Sequence, residues 1–323
     1  MQSKKIMEPI NNSTNERKRL WKAAIKWPLY SVAVMPIVIA AGWKQAIGEN
    51  IRWDQLIGFL FASVFLLIWE NLTNDLFDAD TGVDKFKLHS IVALIGKRSL
   101  VKRLAYLALL IGLLLILILA TRSSFIVLFL VMSCCCLGYL YQGPPFRLGY
   151  HSLGEPLCWL AFGPFATAAS LLVISSKNIG QTGVPWTTAI LIGSGPALAT
   201  TLVLFCSHFH QVIQDSKSGK YTLLVRLGTE RAAQLIPWFV VVTLAIEFVP
   251  ILYGRLPVSA ILGIIGLPSA LRLITLLTEH HNQPHLIVNS KFLALEFQAL
   301  NGFGFSIGLA LAPILGIYFA HPI

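Results

Sequence analysis

The chain has 323 residues, is 55% hydrophobic and only 12% charged, and carries a formal net charge of +10. A soluble domain holds roughly 25% charged residues, so these proportions exclude an ordinary soluble protein, and long apolar runs without ten-residue alternation exclude a transmembrane barrel. The fold class that remains is an all-α polytopic membrane protein, in which a basic excess reports topology and not nucleic-acid binding.

Residues 1–26 are polar and basic, with Lys4, Lys5, Arg17, Lys18, Arg19, Lys22 and Lys26, and have no apolar signal region. They read as a short cytoplasmic tail, either solvated or lying on anionic lipid. Glu8 and Glu16 make this head a poor chloroplast transit peptide, which points to a cyanobacterial cell. Residues 27–323 read as one nine-helix intramembrane domain. Spans of the length a bilayer needs are expected at 27–47, 54–77, 104–121, 124–142, 153–174, 186–211, 232–252, 256–278 and 301–320. With the N-terminus cytoplasmic, twenty of the 25 Lys and Arg fall on the cytoplasmic side, and only Lys44, Arg52, Arg122, Lys177 and Arg255 fall opposite. That asymmetry is the positive-inside signal.

The second span ends in "NLTNDLFDADTGVDK", residues 71–85. Carboxylates at the edge of an apolar run cost free energy unless a cation holds them. At about 100° per residue, Glu70, Asn71, Asn74, Asp75 and Asp78 fall within an arc of roughly 140°, so this face belongs against a protein interior or a wet cavity. Gly82 lets the chain turn back, which would return Asp84 to the same place, whereas Asp80 points away and is expected to be merely solvated. An EF-hand is excluded, because Gly and Glu are missing from the loop positions it requires.

The sixth span ends in "HFHQVIQDSKSGK", residues 208–220. His208, Gln211 and Asp215 share a helical face, and the even number of intervening spans brings this stretch out on the same side as the first. Both stretches follow an Asp with a Gly and a Lys, which hints at a duplicated four-helix unit. Two such ends facing each other form a site for a divalent cation bound together with an anion. Carboxylate and amide oxygens, Gln211 included, suit Mg²⁺, and Lys85, Arg147, Lys220 and Arg226 are the cations placed to hold phosphate oxygens. Polar loops that only cap helices are the plainer alternative.

Other features carry less. Cys134, Cys135, Cys136, Cys158 and Cys206 lie inside spans without ligand spacing and read as small buried apolar groups. His280, His281 and His285 read as a wetted interfacial loop. Trp69, Tyr139, Tyr141 and Phe162 offer aromatic faces to a cation, or serve only as packing and belt residues.

The two Asp-rich stretches, with "QDSKSGKYTLLVRLG", resemble the motifs of the UbiA superfamily of intramembrane prenyltransferases over nearly the whole chain. "SHFHQV", "LLVRLGTER" and "YQGPPFRLGYHSLGEPL" place the resemblance closest to the MenA branch, in particular its phytyltransferases. The resemblance implies transfer of a phytyl or related prenyl group from its diphosphate to 1,4-dihydroxy-2-naphthoate or 2-carboxy-1,4-naphthoquinone. Carbon dioxide would be lost, in phylloquinone or menaquinone biosynthesis. It further implies metal ligation by Asn74, Asp75, Asp78, Asp84 and Asp215, and diphosphate contacts from Lys220, Arg226 and Arg147. The earlier acid of the second motif is Gln211 here, so a second metal would be held more weakly. Glu70 and His208 are candidates to orient the acceptor or take its phenolic proton. The site would open to the cytoplasm from a plasma or thylakoid membrane. A relative acting on homogentisate or chlorophyllide, and a secondary transporter with intramembrane carboxylates, are the alternatives, though the Asp residues sit at helix ends and not near the midplane.

Overall fold

The computed structural model describes residues 21, 27–82, 90–176, 183–317 and 319. Asp84, Lys85 and Lys87, and the basic tail apart from Trp21, lie outside them. Among the described residues, nine helices are long and apolar enough to cross a membrane. They are α1 (Pro28–Ala46), α2 (Trp53–Thr81), α3 (Arg98–Arg122), α4 (Phe125–Gln142), α5 (Gly154–Val173), α6 (Trp186–Lys217), α7 (Thr229–Leu252), α8 (Val258–His280) and α9 (Ile287–Leu311). No strand is formed among these residues beyond an isolated bridge between Ile51 and Ser175.

Local chemistry sets the helix ends. Ser124 accepts from the Ile126 amide at 3.3 Å to start α4, and Thr222 accepts from Val225 N at 3.3 Å to start a short helix, Leu223–Leu227; both satisfy amides that a first helical turn leaves open. Gly82 and Gly219 end the two polar stretches, each at φ +76°, a conformation that glycine adopts without steric cost. α2 has 29 residues, about 44 Å at 1.5 Å each, against a hydrocarbon core of about 30 Å. Its last turns therefore project past the apolar layer, where carboxylates are tolerable.

The helices pack as neighbours in a bundle: α2 against α3, α9 against α1, α6 and the first turns of α8, and α6 against α7. Met35, Ile39, Leu172 and Phe305 belong to one buried cluster, and Phe205, Phe209, Ile236 and Phe297 to another. Leu107, Leu114, Phe129 and Trp238 are exposed on the outside, as lipid contact requires and water would not favour. At Gly308 a Cβ would collide with the Ser259 carbonyl, so α9 and α8 meet backbone to backbone, the close approach that small residues permit in membranes.

The last span departs from expectation. It runs over Ile287–Leu311, starting about four turns and ending about two and a half turns before the expected 301–320. Ser290, Gln298 and Asn301 are wholly buried on it. Ser31 Oγ donates to Gln298 Oε1 at 2.8 Å, and Asn301 Nδ2 donates to Glu247 Oε2 at 2.8 Å and to Gly263 O at 3.1 Å. Interior polar pairs depress hydropathy where the helix begins, and the apolar run then overreaches its end at Leu311, two residues before Pro313.

Candidate active site

α2 carries Glu70, Asn71, Asn74, Asp75 and Asp78 on one wall of a cavity of about 520 Å³. Asp75 and Asp78 are only 5% and 7% exposed. Asp75 Oδ2 accepts from the Ile91 amide at 2.9 Å, so this carboxylate also anchors the short helix Ile91–Ile95 that follows the turn at Gly82. Asp80 is not simply solvated, as expected above, but is ion-paired with Arg98. The first residue of α3 comes back within reach of the last turn of α2, a contact across a loop that periodicity does not reveal.

The end of α6 supplies the facing wall. Its α-helical stretch stops at Ser207, followed by a 3₁₀ turn, Phe209–Gln211, and a last α-helical turn, Val212–Lys217. The break divides the expected shared face. His208, His210 and Gln211 line the cavity, whereas Asp215 is fully buried and lies behind the wall. Asp215 Oδ2 sits 3.3 Å from His208 Nδ1, and Asp215 Oδ1 is 3.9 Å from the Lys220 ammonium. Lys220, itself buried, reaches the cavity. The Tyr141 hydroxyl, also on the cavity wall, is 3.5 Å from His208 Nε2.

Tyr150, which the sequence reading did not single out, joins these parts. Its ring lies under two cations, with the Lys220 ammonium 5.6 Å and the Arg147 guanidinium carbon 5.8 Å from the ring centroid. Its hydroxyl is 2.9 Å from Thr81 Oγ1, and its carbonyl accepts from Tyr221 N at 3.0 Å. Burial raises the phenol above its ordinary pKa, so it stays a neutral hydroxyl through the neutral range. Arg147 is thereby held beside the cavity, not in its wall, and Arg226 is exposed on Leu223–Leu227, away from it. Asp84 and Lys85 lie outside the described residues. Lys291 and His210 line the cavity and were also missed. Lys291 precedes the expected 301–320 span but sits in the first turns of α9, which starts at Ile287.

The cavity is polar at one end and apolar along its depth. It extends along α2 to Phe59, nineteen residues from Asp78, or about 28 Å along the helix axis. Ser63, Leu66, Val131, Ala166 and Ser170 line this deeper part. Trp69, Tyr141 and Phe162 face into the cavity, whereas Tyr139 faces outward and donates to Pro144 O at 2.8 Å. The cysteines are not uniformly buried. Cys206 is, but Cys134, Cys135 and Cys158 are half-buried on the cavity wall beside the level of Glu70, and Cys136 is exposed.

Asn74, Asp75 and Asp78 present hard oxygen donors in a recess, and among the described residues no three His, Cys, Asp or Glu form a ready-made metal cluster. That donor set fits Mg²⁺, which commonly takes one or two protein carboxylates and completes its shell from phosphate and water. It would not suit zinc, which takes nitrogen and sulfur ligands in closed tetrahedra.

The model of the UbiA prenyltransferase family matches residues 33–295. A 2-carboxy-1,4-naphthoquinone phytyltransferase from Synechocystis sp. is 38% identical over 91% of this chain and 94% of its own length. The chloroplastic 2-carboxy-1,4-naphthoquinone phytyltransferase of Arabidopsis thaliana is 36% identical, covering 91% of this chain and 78% of its own. A solved structure of a UbiA homolog from Archaeoglobus fulgidus, bound to GPP and Mg²⁺, superposes with a TM-score of 0.51 at 14% identity, over 89% of this chain and 99% of that one.

Proposed function

Because the chain belongs to the UbiA prenyltransferase family, we propose that it transfers a phytyl or related prenyl group from its diphosphate to 2-carboxy-1,4-naphthoquinone or the corresponding 1,4-dihydroxy-2-naphthoate, with loss of carbon dioxide. The observation that carries this reading is one cavity with an ion-lined mouth and an apolar depth of about 28 Å. A diphosphate fits the first part and a long isoprenoid tail the second. The relatives named for the naphthoquinone acceptor supply the ring.

In this reading Asn74, Asp75 and Asp78, together with Asp84, would hold Mg²⁺ at the mouth. The bound ion would neutralise the departing diphosphate and so favour ionisation of the allylic carbon–oxygen bond. Lys220 faces the same space and contributes a charge-assisted hydrogen bond to a phosphate oxygen. The nearby Arg147 adds positive potential, Lys85 is proposed for the same role, and Arg226 would have to swing inward to join them. Trp69, Tyr141 and Phe162 line the path of the allylic cation and present π faces to it, while the apolar wall keeps water from quenching it. Glu70, deeper than the acids of the mouth, is set to orient the acceptor hydroxyl or take its proton, with His208 as the second such group. The electron-rich dihydroxynaphthoate ring attacks through its π electrons at the carbon that bears the carboxylate. A carbon–carbon bond forms, the carboxylate leaves as carbon dioxide, and the electron pair it leaves behind restores the aromatic ring.

The protein is an integral multi-pass membrane protein. The distribution of Lys and Arg supports a cytoplasmic mouth. The deciding experiment incubates the detergent-purified protein with phytyl diphosphate, 1,4-dihydroxy-2-naphthoate and Mg²⁺. Phytylated naphthoquinol (read as the quinone after air oxidation), carbon dioxide and diphosphate should appear together, should vanish on chelation with EDTA and should return with added Mg²⁺. Product with homogentisate or chlorophyllide but none with the naphthoate would overturn the acceptor assignment.

A further inference from the structure

The two walls of the cavity mouth are not equivalent in charge. The α2 wall presents two carboxylates and an amide, from Asp75, Asp78 and Asn74. The α6 wall presents the neutral amide of Gln211 and the ammonium of Lys220. Its one carboxylate, on Asp215, is 0% exposed and is spent on its neighbours: Oδ2 is 3.3 Å from His208 Nδ1, and Oδ1 is 3.9 Å from Lys220 Nζ with no hydrogen-bond partner among the described residues.

The backbone enforces this arrangement. The Asp215 carbonyl accepts from Lys220 N at 2.9 Å and from Ser218 Oγ at 2.9 Å, while Gly219 takes the left-handed conformation that lets the chain close so tightly. Lys220 is thus folded back over the residue that neutralises it. Lys220 is 3% exposed, and an ammonium so deeply buried is tolerated only beside an opposite charge. Turning Asp215 outward to ligate a metal would strip Lys220 of its counter-ion. With Asp215 and Lys220 cancelling and Gln211 neutral, the α6 wall has no net negative charge to attract a dication.

We propose that the α6 wall holds the diphosphate through Lys220 alone, with Asp215 as its positioning residue and not a metal ligand, so that this chain works with one divalent ion, held by α2. The inference rests on the prenyl diphosphate reading given above and fixes how that substrate's head is shared between a metal and an ammonium. His208 gains its orientation from the same buried carboxylate.

Ion counting tests it without turnover. The full chain in detergent, saturated with a non-ionisable prenyl thiolodiphosphate, is titrated with Mn²⁺, and free Mn²⁺ is read by electron paramagnetic resonance. One ion per chain is expected; two would overturn the proposal. Asp215→Asn should weaken analogue binding by roughly tenfold or more through loss of the Lys220 position and leave the count at one. A count falling to zero with analogue still bound would make Asp215 a ligand and overturn the proposal. Should Asp215→Asn not fold, Lys220→Met carries the test: a similar loss of analogue affinity with the count unchanged is expected, and unaltered affinity would overturn it. No analogue binding by the wild-type chain at any Mn²⁺ concentration would overturn the substrate reading itself, whereas two ions with analogue bound would sink only the one-ion inference.

Discussion

The Tyr150 hydroxyl and Thr81 Oγ1 lie 2.9 Å apart, and through that contact the last turn of α2 is tied to the segment that carries Arg147 and packs against Lys220. Tyr150→Phe keeps the ring beneath both cations and loses the bond, so stability should fall by about 1 kcal/mol with little change in the KM for the prenyl diphosphate. Tyr150→Leu also removes the π face, worth about 0.5–2 kcal/mol to a nearby cation, and should raise that KM several-fold. Thermal unfolding in detergent and donor titration separate the two effects. Equal KM values for both variants would mean that the ring does nothing for Lys220.

Asp78 and Asp80 are two residues apart with different surroundings. Asp78→Asn removes charge from the cavity wall and should lower turnover about a hundredfold or more, the scale of losing one preorganised electrostatic partner, with partial recovery at raised Mg²⁺. Asp80→Asn breaks only the partly exposed pair with Arg98, so it should cost no more than about 1 kcal/mol of stability and leave turnover near wild type. Comparable mild losses at both positions would reduce the acidic face to a solvated helix end.

Glu70 packs against Gly138, where a Cβ would stand 3.4 Å from the Glu70 carboxyl carbon, and it sits two turns deeper than Asp78 along the same cavity wall. Glu70→Gln keeps shape and removes the carboxylate proposed as the base. Turnover with the naphthoate acceptor should fall about a hundredfold or more, while the KM for the prenyl diphosphate stays put. A rise confined to the diphosphate KM would assign Glu70 to the donor instead.

Gly308 tests the packing that carries the site. A methyl group there meets the Ser259 carbonyl, and Gly308→Ala should cost about 1–3 kcal/mol, the usual range for overpacking. Gly183→Ala, where a Cβ meets nothing within 4 Å, serves as the control and should be neutral. Unfolding followed by circular dichroism in detergent compares them; equal stability would show that α9 can shift away from α8 at no cost.

Much of the site was legible because the relevant signals are local. Asn74, Asp75 and Asp78 recur at helical spacing beside an apolar run, and Gly82 marks where that helix must stop, so one polar face at a membrane edge follows from periodicity. Gln211 and His208 follow from the same rule one span-set later. Tyr150 was not legible, since its importance lies in what it touches: Thr81, Arg147 and Lys220 come from three separate segments. Glu247 and Asn301 were missed for a related reason. Polar residues within apolar runs can face a partner or a defect, and only their mutual hydrogen bond decides.

The sequence by itself determined the membrane class, the positions of eight spans to within a few residues at most of their ends, and the family, because hydropathy, helical period and motif spacing are properties of neighbouring residues. Tertiary structure alone decided the ninth span's register, through buried Gln298 and Asn301 that hydropathy counts against a helix although Ser31 bonds the first and Glu247 the second inside the bundle. It also decided that Asp80 pairs with Arg98 and that Asp215 turns away from the cavity toward Lys220 and His208. A carboxylate's role depends on which cation lies within a few ångströms of it, and that distance is set by packing and by a single 3₁₀ turn, neither of which the order of residues expresses.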